Sequence, residues 1–353
     1  MKKIFFTPGP TQLYDSVPAY INEAIHNNIC SISHRGSEFQ NLFQTATSSL
    51  KKLLGIPNDF HVFFVSSATE AMERVIENCV EKHSFHFVNG EFSKRFFEAS
   101  RELKKSPQKI EVEPQEDFDF NAEIPDYAEL ICFTQNETST GAAVEMDRIY
   151  KIKKENPEKL VAVDIVSSAP YVNVDYNLVD CTFFSVQKGF GMPAGLGLVV
   201  VNEKIIQKSK LLSDKNIDIG TYHNFISLLD SSQKSQTPET PNVLGIFLLG
   251  KIADELNSKG IINIRKETEE KSSLIYNFFG EHKKYSPFIK NKSIRSKTVI
   301  TVNVDNSQEV IKKLAQHNFI VGAGYKYYKD KQIRIANFPM HKIEDMKRML
   351  ELI

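Results

Sequence analysis

The chain of 353 residues carries 44 basic and 44 acidic side chains, so its formal net charge is +0. It therefore lacks the net positive field that draws proteins to nucleic acid or to an anionic membrane. A composition of 41% hydrophobic and 25% charged residues is typical of a globular protein, and the length is enough for two domains.

Four cysteines are widely spaced and form no CxxC motif: Cys30, Cys79, Cys132 and Cys181. This spacing argues against a zinc site and against a disulfide framework. The first apolar run ends at Thr7-Pro8-Gly9-Pro10, too early for a signal peptide, and no run reaches membrane-spanning length. We expect a cytoplasmic protein with reduced thiols, no bound metal, and no nucleic-acid or membrane partner.

Short apolar runs alternate with amphipathic stretches through most of the chain. The apolar runs predict strands at residues 60–65, 85–88, 130–134, 160–164, 180–184 and 196–201. Helical periodicity predicts helices at residues 16–27, 38–54, 68–80, 92–103 and 148–155. Strands that alternate with helices indicate an α/β fold with a mostly parallel sheet covered on both faces.

The pattern changes near residue 233. Two long predicted helices are followed by strand, helix, strand and helix, at residues 243–256, 267–279, 298–304, 309–317, 332–335 and 342–353. This order indicates a smaller α+β unit. We expect a large domain over residues 14–245 and a small domain formed by residues 1–13 together with residues 246–353.

Lys188 lies in a glycine-rich turn between the predicted strands at 180–184 and 196–201. A lysine at a strand end is usually a side chain directed to solvent. A desolvated lysine can instead be a nucleophile that forms a Schiff base. The lysine alone does not decide between these interpretations, so the decision depends on partners elsewhere in the chain.

Asp164 ends the predicted strand at 160–164, where a carboxylate after four apolar residues is costly to bury without a partner. It could cap the next helix, or it could hold the ring nitrogen of a cofactor protonated and so make the ring an electron sink. In an open α/β sheet, Asp164 and Lys188 would both lie at the carboxyl ends of strands, where such sheets bind ligands.

Further positions fit a cofactor site, although each also has an ordinary structural explanation. Ser66-Ser67-Ala68-Thr69 either caps the helix that it opens or holds a phosphate at the helix N-terminus. Phe92 is either a core aromatic or a ring stacked on one face of a cofactor, with Val166 on the other face. Thr138 either stabilises a turn or donates its hydroxyl to the cofactor's phenolic oxygen.

Several motifs occur in a fixed order along nearly the whole chain: Thr7-Pro8-Gly9-Pro10-Thr11, His34-Arg35-Gly36-Ser37-Glu38-Phe39, Glu137-Thr138-Ser139-Thr140-Gly141, Asp164-Ile165-Val166-Ser167-Ser168 and Gln187-Lys188. The ordered set resembles class V aminotransferases, which are pyridoxal-phosphate enzymes of fold type I. The resemblance implies a large domain with a mostly parallel seven-stranded sheet flanked by helices, a smaller α+β C-terminal domain, and pyridoxal 5'-phosphate as the cofactor.

The resemblance also implies roles for individual residues. Lys188 would be the Schiff-base lysine, Asp164 would contact the pyridine nitrogen, and Thr138 would contact the ring oxygen. Phe92 would stack on the ring, and Ala68, Thr69 and Gln187 would hold the phosphate.

Gln236-Thr237-Pro238-Glu239-Thr240 is similar to the family's Asn/His-Thr-Pro-Pro segment, which reaches across a dimer interface to the neighbouring subunit's phosphate. The segment implies two phosphate contacts, Gln236 and Thr237. Gln236 and Glu239 depart from the family pattern, so Thr237 is the stronger of the two contacts. The alternative is a plain proline loop between domains. We expect a homodimer with shared active sites.

Two branches of the family share features with the sequence. Arg334, in Arg334-Ile335-Ala336-Asn337-Phe338-Pro339-Met340, resembles the carboxylate-binding arginine of the phosphoserine branch, and His34-Arg35 resembles that branch's substrate-side pair. Gly322-Ala323-Gly324-Tyr325 and Lys329-Asp330-Lys331 instead resemble the alanine–glyoxylate and serine–pyruvate branch. A second basic pair for a substrate phosphate is not evident, and Lys326 is the nearby candidate.

The resemblance implies a transaminase. We favour O-phosphoserine and 2-oxoglutarate as substrates, as in serine biosynthesis, with alanine or serine and glyoxylate or pyruvate as the alternative. A cysteine desulfurase-like lyase is a second alternative, but Gln187 stands where those relatives usually have His, and no cysteine lies in an evident flexible loop. The presence of both Lys188 and Asp164 argues against a non-catalytic binding protein.

Overall fold

The structure, a computed structural model, describes residues 2–353. Its strands are β1 (Ile4–Phe6), β2 (His61–Val65), β3 (Ser84–Val88), β4 (Gln108–Glu111), β5 (Leu130–Thr134), β6 (Asn136–Glu137), β7 (Ala142–Ala143), β8 (Leu160–Asp164), β9 (Cys181–Ser185), β10 (Gly197–Val201), β11 (Ser286–Pro287), β12 (Val299–Asn303), β13 (Phe319–Ala323) and β14 (Gln332–Ala336). Its α-helices are α1 (Val17–His26), α2 (Ser37–Leu54), α3 (Ala68–Cys79), α4 (Glu91–Glu102), α5 (Met146–Glu155), α6 (Glu203–Asp214), α7 (Phe225–Ser232), α8 (Val243–Lys259), α9 (Ile261–Glu281), α10 (Ser307–Gln316) and α11 (Ile343–Leu350).

The larger sheet has seven strands in the order β2-β10-β9-β8-β5-β3-β4. The neighbouring pairs from β9 to β4 are parallel, whereas β10 runs antiparallel to both β9 and β2. The six strands predicted for this part of the chain are all present, and the mostly parallel seven-stranded sheet is confirmed. The five residues of β5, β8, β9 and β10 are buried throughout, as expected for strands covered on both faces.

The smaller sheet has five strands in the order β1-β13-β14-β12-β11. Strand β1 comes from the N-terminus and pairs in parallel with β13, while the other pairs are antiparallel. This arrangement confirms the smaller α+β unit. The sequence patterns missed β1, β11 and β13 of this sheet; β1 and β11, with three and two residues, are too short to show an alternation.

The predicted division after residue 245 falls inside α8. The buried side chains of α8, from Val243 to Leu256, belong to the same apolar core as the seven-stranded sheet, and Ile264 of α9 joins that core. Farther along α9, Ile275 and Phe279 belong to the core of the smaller sheet. We therefore propose that the division lies within α9 rather than at residue 245.

Among the helices of residues 2–353, none is long and apolar enough to cross a bilayer.

Candidate active site

Three adjacent strands of the larger sheet, β5, β8 and β9, place the candidate site. Asp164 is the last residue of the middle strand and lies in register with Thr134 of β5 and Phe183 of β9. Because these strands are parallel, the turns that follow them emerge at the same edge of the sheet. Thr138 follows β5 on the β6–β7 hairpin, and Lys188 follows β9. The fold thus brings together residues that are far apart in sequence.

Lys188 is buried, with 6% of its surface exposed. Its Nζ donates a hydrogen bond to Thr138 Oγ1 at 2.9 Å and lies 5.1 Å from the centre of the Phe92 ring. Burial lowers the pKa of Lys188, although the negative charges of Asp164 and Glu137 oppose this effect. The amine is therefore more readily deprotonated than a solvent-exposed lysine, as a nucleophile or a proton-transfer group requires.

The Asp164 carboxylate is buried, and its Oδ1 accepts a hydrogen bond of 2.8 Å from the Val166 N–H. Its Oδ2 accepts no hydrogen bond from residues 2–353. Burial raises the pKa of Asp164, while the Val166 hydrogen bond and the charge of Lys188 lower it. A cation placed against Oδ2 would stabilise the ionised carboxylate.

Ser167 connects the hairpin to the loop after β8. Its Oγ accepts from Thr138 Oγ1 and from Asn136 Nδ2, both at 2.9 Å, and donates to the Asn136 carbonyl at 2.7 Å. Its own carbonyl accepts from Thr298 Oγ1 of the smaller domain at 2.5 Å. The Thr138 hydroxyl is therefore held between Ser167 and Lys188. Ser167 belongs to the motif of residues 164–168, but the sequence alone indicated no role for it.

Glu137 is a second residue whose role the sequence did not indicate. Its carboxylate is fully buried and accepts backbone N–H groups from Phe92, at 3.1 Å to Oε2, and from Ser93, at 2.9 Å. It also accepts the hydroxyl of Ser139 at 2.6 Å. Glu137 thus satisfies the exposed N–H groups at the start of α4 and fixes Phe92 beside Lys188. Gly90 permits this contact, because a Cβ there would lie 2.4 Å from Glu137 Cγ.

Arg334 reaches the site from β14 of the smaller sheet. Its Nε donates to the Ala323 carbonyl at 2.8 Å and its Nη1 to the Thr138 carbonyl at 3.1 Å. Its guanidinium lies 5.2 Å from the centre of the Tyr325 ring, and that ring packs against Phe92. Burial lowers the pKa of Arg334 to about 10, so it is charged at neutral pH. The sequence indicated no role for Tyr325 beyond its place in the motif Gly322-Ala323-Gly324-Tyr325.

The N-terminal segment covers Lys188. Gly9 has a φ of +143°, and a Cβ at this position would lie 2.9 Å from Lys188 Cε. The Thr11 N–H donates to the Gln187 carbonyl at 3.2 Å, which anchors the segment to the turn that carries the lysine. Glycine is therefore required at position 9 both by its backbone conformation and by the close approach of Lys188.

The predicted phosphate contacts lie near the start of α3. The Ala68 N–H donates to Ser185 Oγ at 2.8 Å, so this N–H is already engaged. Thr69 is exposed, and Gln187 follows β9 immediately before Lys188. Ser67 caps the helix by accepting the Glu70 N–H at 3.1 Å. The N–H groups of Ala68 and Glu70 at the start of α3 are thus engaged within the chain, and the contacts of Ala68, Thr69 and Gln187 to a phosphate stay predictions.

Arg35, Gln236 and Thr237 form a separate cluster. Arg35 Nη1 donates to Gln236 Oε1 at 3.0 Å and to the Thr237 carbonyl at 2.7 Å, and its Nη2 donates to the Pro238 carbonyl at 2.9 Å. Within residues 2–353, Arg35 makes no hydrogen bond to the group around Lys188. The structure therefore joins these three predicted residues to one another, but not to Lys188 of the same chain.

The two other predicted substrate contacts differ in their surroundings. His34 is partly exposed, and its side chain makes no hydrogen bond within the described part of the chain. Lys326 forms an ion pair with Glu91, the residue before Phe92. Lys326 therefore lies at the edge of the Phe92 and Tyr325 group.

The residues present fit pyridoxal 5'-phosphate. A buried lysine with a lowered pKa stands beside a carboxylate whose Oδ2 makes no hydrogen bond to the described residues. The protonated ring nitrogen of the cofactor is a cation that such a carboxylate would pair with. The Thr138 hydroxyl adjoins the same lysine, and it would donate to a ring oxygen by turning its proton away from Ser167 Oγ.

Comparisons with known proteins agree with this geometry. The family described as aminotransferase class-V matches residues 4–329. A phosphoserine aminotransferase from Corynebacterium glutamicum is 28% identical and covers 91% of this chain and 86% of its own. A phosphoserine aminotransferase from Cytophaga hutchinsonii, known from its crystal structure, is 43% identical in sequence. Its structure matches with a TM-score of 0.97 over 99% of this chain and 98% of its own. An alanine–glyoxylate aminotransferase structure from Nostoc sp. shares the fold, with a TM-score of 0.86, 20% identity and coverage of 100% and 94%.

The family match covers the whole seven-stranded sheet, with Lys188 and Asp164, and four strands of the smaller sheet, and it ends before β14. The chain belongs to the class V aminotransferase family and is a transaminase that depends on pyridoxal phosphate.

Proposed function

We propose that this enzyme transfers the amino group of O-phosphoserine to 2-oxoglutarate. The observation that carries the proposal is the placement of Arg334, fixed by the Thr138 carbonyl while the Thr138 hydroxyl accepts from Lys188. This arrangement sets a carboxylate-binding group beside the reacting amine. The choice of O-phosphoserine is supported by the similarity to the Cytophaga hutchinsonii protein, which covers 99% of the chain at 43% identity.

Lys188 would hold the cofactor and then transfer a proton at the substrate's Cα. When bound, pyridoxal phosphate supplies a ring that delocalises the negative charge formed on Cα. Because burial lowers the pKa of Lys188 to about 8, a fraction of the amine is neutral near neutral pH and can act as a base. Asp164 would bind the ring nitrogen through Oδ2 while Val166 holds Oδ1, and the Thr138 hydroxyl would bind the ring oxygen.

Arg334 would bind the substrate's α-carboxylate. Two backbone carbonyls and the Tyr325 ring fix its guanidinium, so little conformational freedom is lost when the substrate binds. Fixing the carboxylate in this way orients the Cα–H bond relative to the cofactor ring. Phe92, held by Glu137, would contact one face of the ring.

The substrate phosphate would be read by Arg35 and Lys326, with His34 nearby. Arg35 uses Nη1 and one Nη2 hydrogen for the Gln236–Pro238 loop, which leaves Nε–H and the other Nη2–H available. These are adjacent donors that could bind a phosphate bidentately. Lys326, now paired with Glu91, could exchange this carboxylate for the phosphate.

We further propose a homodimer in which the Arg35 and Thr237 cluster serves the neighbouring subunit. This arrangement would explain why Arg35 contacts the Thr237 loop but makes no hydrogen bond to the Lys188 group of its own chain. Mixing an inactive Lys188→Ala chain with an inactive variant carrying a bulky residue at Thr237 tests the idea. Random pairing should restore roughly a quarter of wild-type activity, because half of the dimers would carry one intact site. A monomer, or no recovery in a demonstrated mixed dimer, would mean that the loop serves its own subunit.

A screen of amino donors and oxo acids with the purified holoenzyme tests the substrate assignment. We expect O-phosphoserine with 2-oxoglutarate to give the highest kcat/KM. A preference for alanine or serine with glyoxylate or pyruvate would support the other branch, whose fold this chain also shares.

A lyase acting on cysteine is less consistent with the structure. Cys79, Cys132 and Cys181 are buried, and burial raises the pKa of each thiol. Only Cys30 of the four is exposed. Free, mostly buried thiols also agree with the proposed cytoplasmic location. Sulfide release from cysteine at a rate comparable to transamination would restore the lyase interpretation.

A further inference from the structure

His223 is held between two carboxylates at the edge of the cofactor region. Only 4% of its surface is exposed. Its Nδ1 bonds to Glu70 Oε1, and its Nε2 bonds to Glu239 Oε2 at 2.9 Å. A histidine can donate from both ring nitrogens only when it is protonated. Burial opposes the charge, but the hydrogen bonds to Glu239 and Glu70 outweigh it and raise the pKa of His223 to about 9.

One end of this bridge is attached to the start of α3. Glu70 lies in the first turn of that helix, and its Oε2 accepts the Ser66 N–H at 2.7 Å and the Ser66 hydroxyl at 2.6 Å. Burial favours the neutral acid, but the hydrogen bonds from His223 and Ser66 prevail and lower the pKa of Glu70 to about 2. Glu70 therefore fixes the turn in which the predicted phosphate contacts lie.

The other end is attached to the loop that carries Thr237. The Thr237 hydroxyl donates to the Glu239 carbonyl at 2.8 Å, and Thr237 is itself buried. Glu239 is also one of the two positions at which this loop departs from the family pattern. At this position Glu239 supplies the second carboxylate to His223.

We propose that Glu70, His223 and Glu239 form a positioning bridge that ties the Thr237 loop to the start of α3 in the same chain. The bridge places Thr237 for the cofactor phosphate that it contacts, which in the proposed homodimer is that of the neighbouring subunit. None of the three residues need contact the phosphate. The protonated imidazole offsets one of two carboxylate charges that would otherwise repel an anion bound nearby. The inference rests on the proposed role of Thr237 as a phosphate contact.

The bridge should open at high pH. Because the folded pKa of His223 is raised, its stabilising charge is present at and below neutral pH and is lost as the pH rises through about 9. The groups that face the imidazole are Glu70 from α3, Glu239 from the loop, and the Tyr222 ring, 4.1 Å away between centroids.

The test measures the dissociation constant of pyridoxal phosphate from the apoenzyme by absorbance titration, from neutral pH to above the pKa of His223. His223→Gln and Glu239→Gln should each weaken binding by about ten- to a hundredfold at neutral pH. Wild-type affinity should fall as the pH passes about 9, with a component that His223→Gln lacks. The matched control is His61→Gln, which removes a histidine 3.7 Å from Glu203 at the opposite end of β2 and should leave affinity unchanged.

A double-mutant comparison separates this bridge from a general structural role. If Glu239 acts through Thr237, Glu239→Gln should add little to the loss caused by Thr237→Ala. Wild-type affinity in both His223→Gln and Glu239→Gln, with weakened binding in Thr237→Ala, would overturn the bridge but keep the proposed function. Unchanged binding in Thr237→Ala would instead contradict the proposed role of Thr237. If His223→Gln does not fold, Glu239→Gln, at a partly exposed position, carries the test alone.

Discussion

The group around Lys188 and the cluster around Arg35 are built in different ways. The first is buried, is placed by the turns after adjacent strands, and is joined by side-chain hydrogen bonds between Lys188, Thr138 and Ser167. The second lies in surface loops, where Arg35 is exposed and donates mainly to backbone carbonyls. The difference indicates that the sheet fixes the position of the group around Lys188, while the position of Arg35 depends on contacts between loops.

The largest effect should come from Lys188→Ala, which removes the amine that holds the cofactor and transfers the proton. Loss of proton transfer alone is worth about a hundred- to ten-thousandfold in rate, and we expect no measurable transamination. Borohydride reduction of the wild-type holoenzyme should attach the cofactor to the peptide that contains Lys188. Attachment at another lysine would contradict the assignment.

Lys153→Ala is a matched control for that variant. Lys153 is also a buried lysine on the larger domain, but it pairs with Asp180 at 2.8 Å, outside the site. Removing one partner of a buried pair should lower the free energy of unfolding by about 3–5 kcal/mol. Lys153→Ala should therefore reduce thermal stability and leave trapping at Lys188 intact, whereas Lys188→Ala should abolish trapping and keep the fold.

Asp164→Asn should retain the cofactor and lower kcat by about a hundred- to thousandfold, because an amide does not stabilise the protonated ring nitrogen as a carboxylate does. The measurement is steady-state transamination beside a cofactor titration. Near-normal turnover would show that another group supports the ring nitrogen. Loss of cofactor in place of loss of turnover would show that Asp164 acts mainly in binding.

Arg35→Ala should have a smaller effect that depends on the substrate. Loss of a charge-assisted contact to the phosphate should lower kcat/KM with O-phosphoserine by roughly ten- to several-hundredfold. Alanine has no distal anion, so kcat/KM with alanine should fall only to the extent that the Thr237 loop is displaced. The control is Arg148→Ala, which removes an arginine paired with Asp117 and should change neither value. Equal losses with both substrates would make Arg35 a loop-positioning residue only.

The structure brings together the predicted residues of the group around Lys188, whereas the cluster around Arg35 stays apart from it. Asp164 ends an apolar strand with a charge and Lys188 lies in a glycine-rich turn after another, so both signals are local. Glu137 and Ser167 lay within quoted motifs, but their partners are backbone groups and side chains from other elements, so their roles depend on the folded arrangement.

The missed elements have a similar explanation. Helix α6 is amphipathic, with Ile205, Ser209 and Leu212 buried at helical spacing, and the pattern could have been found. Strand β1, in contrast, has three residues and exists only by pairing with β13, more than three hundred positions away. The His223 bridge likewise joins three segments through contacts that no spacing rule indicates.

The most direct test of the account compares O-phosphoserine with serine in a single half-reaction of the wild-type holoenzyme, followed by the change in absorbance of the bound cofactor. The two donors differ only in the phosphate. If the cluster around Arg35 binds this phosphate, kcat/KM should be about ten- to several-hundredfold higher for O-phosphoserine. Equal values, or a preference for serine, would contradict the proposed substrate and favour the alanine–glyoxylate and serine–pyruvate branch.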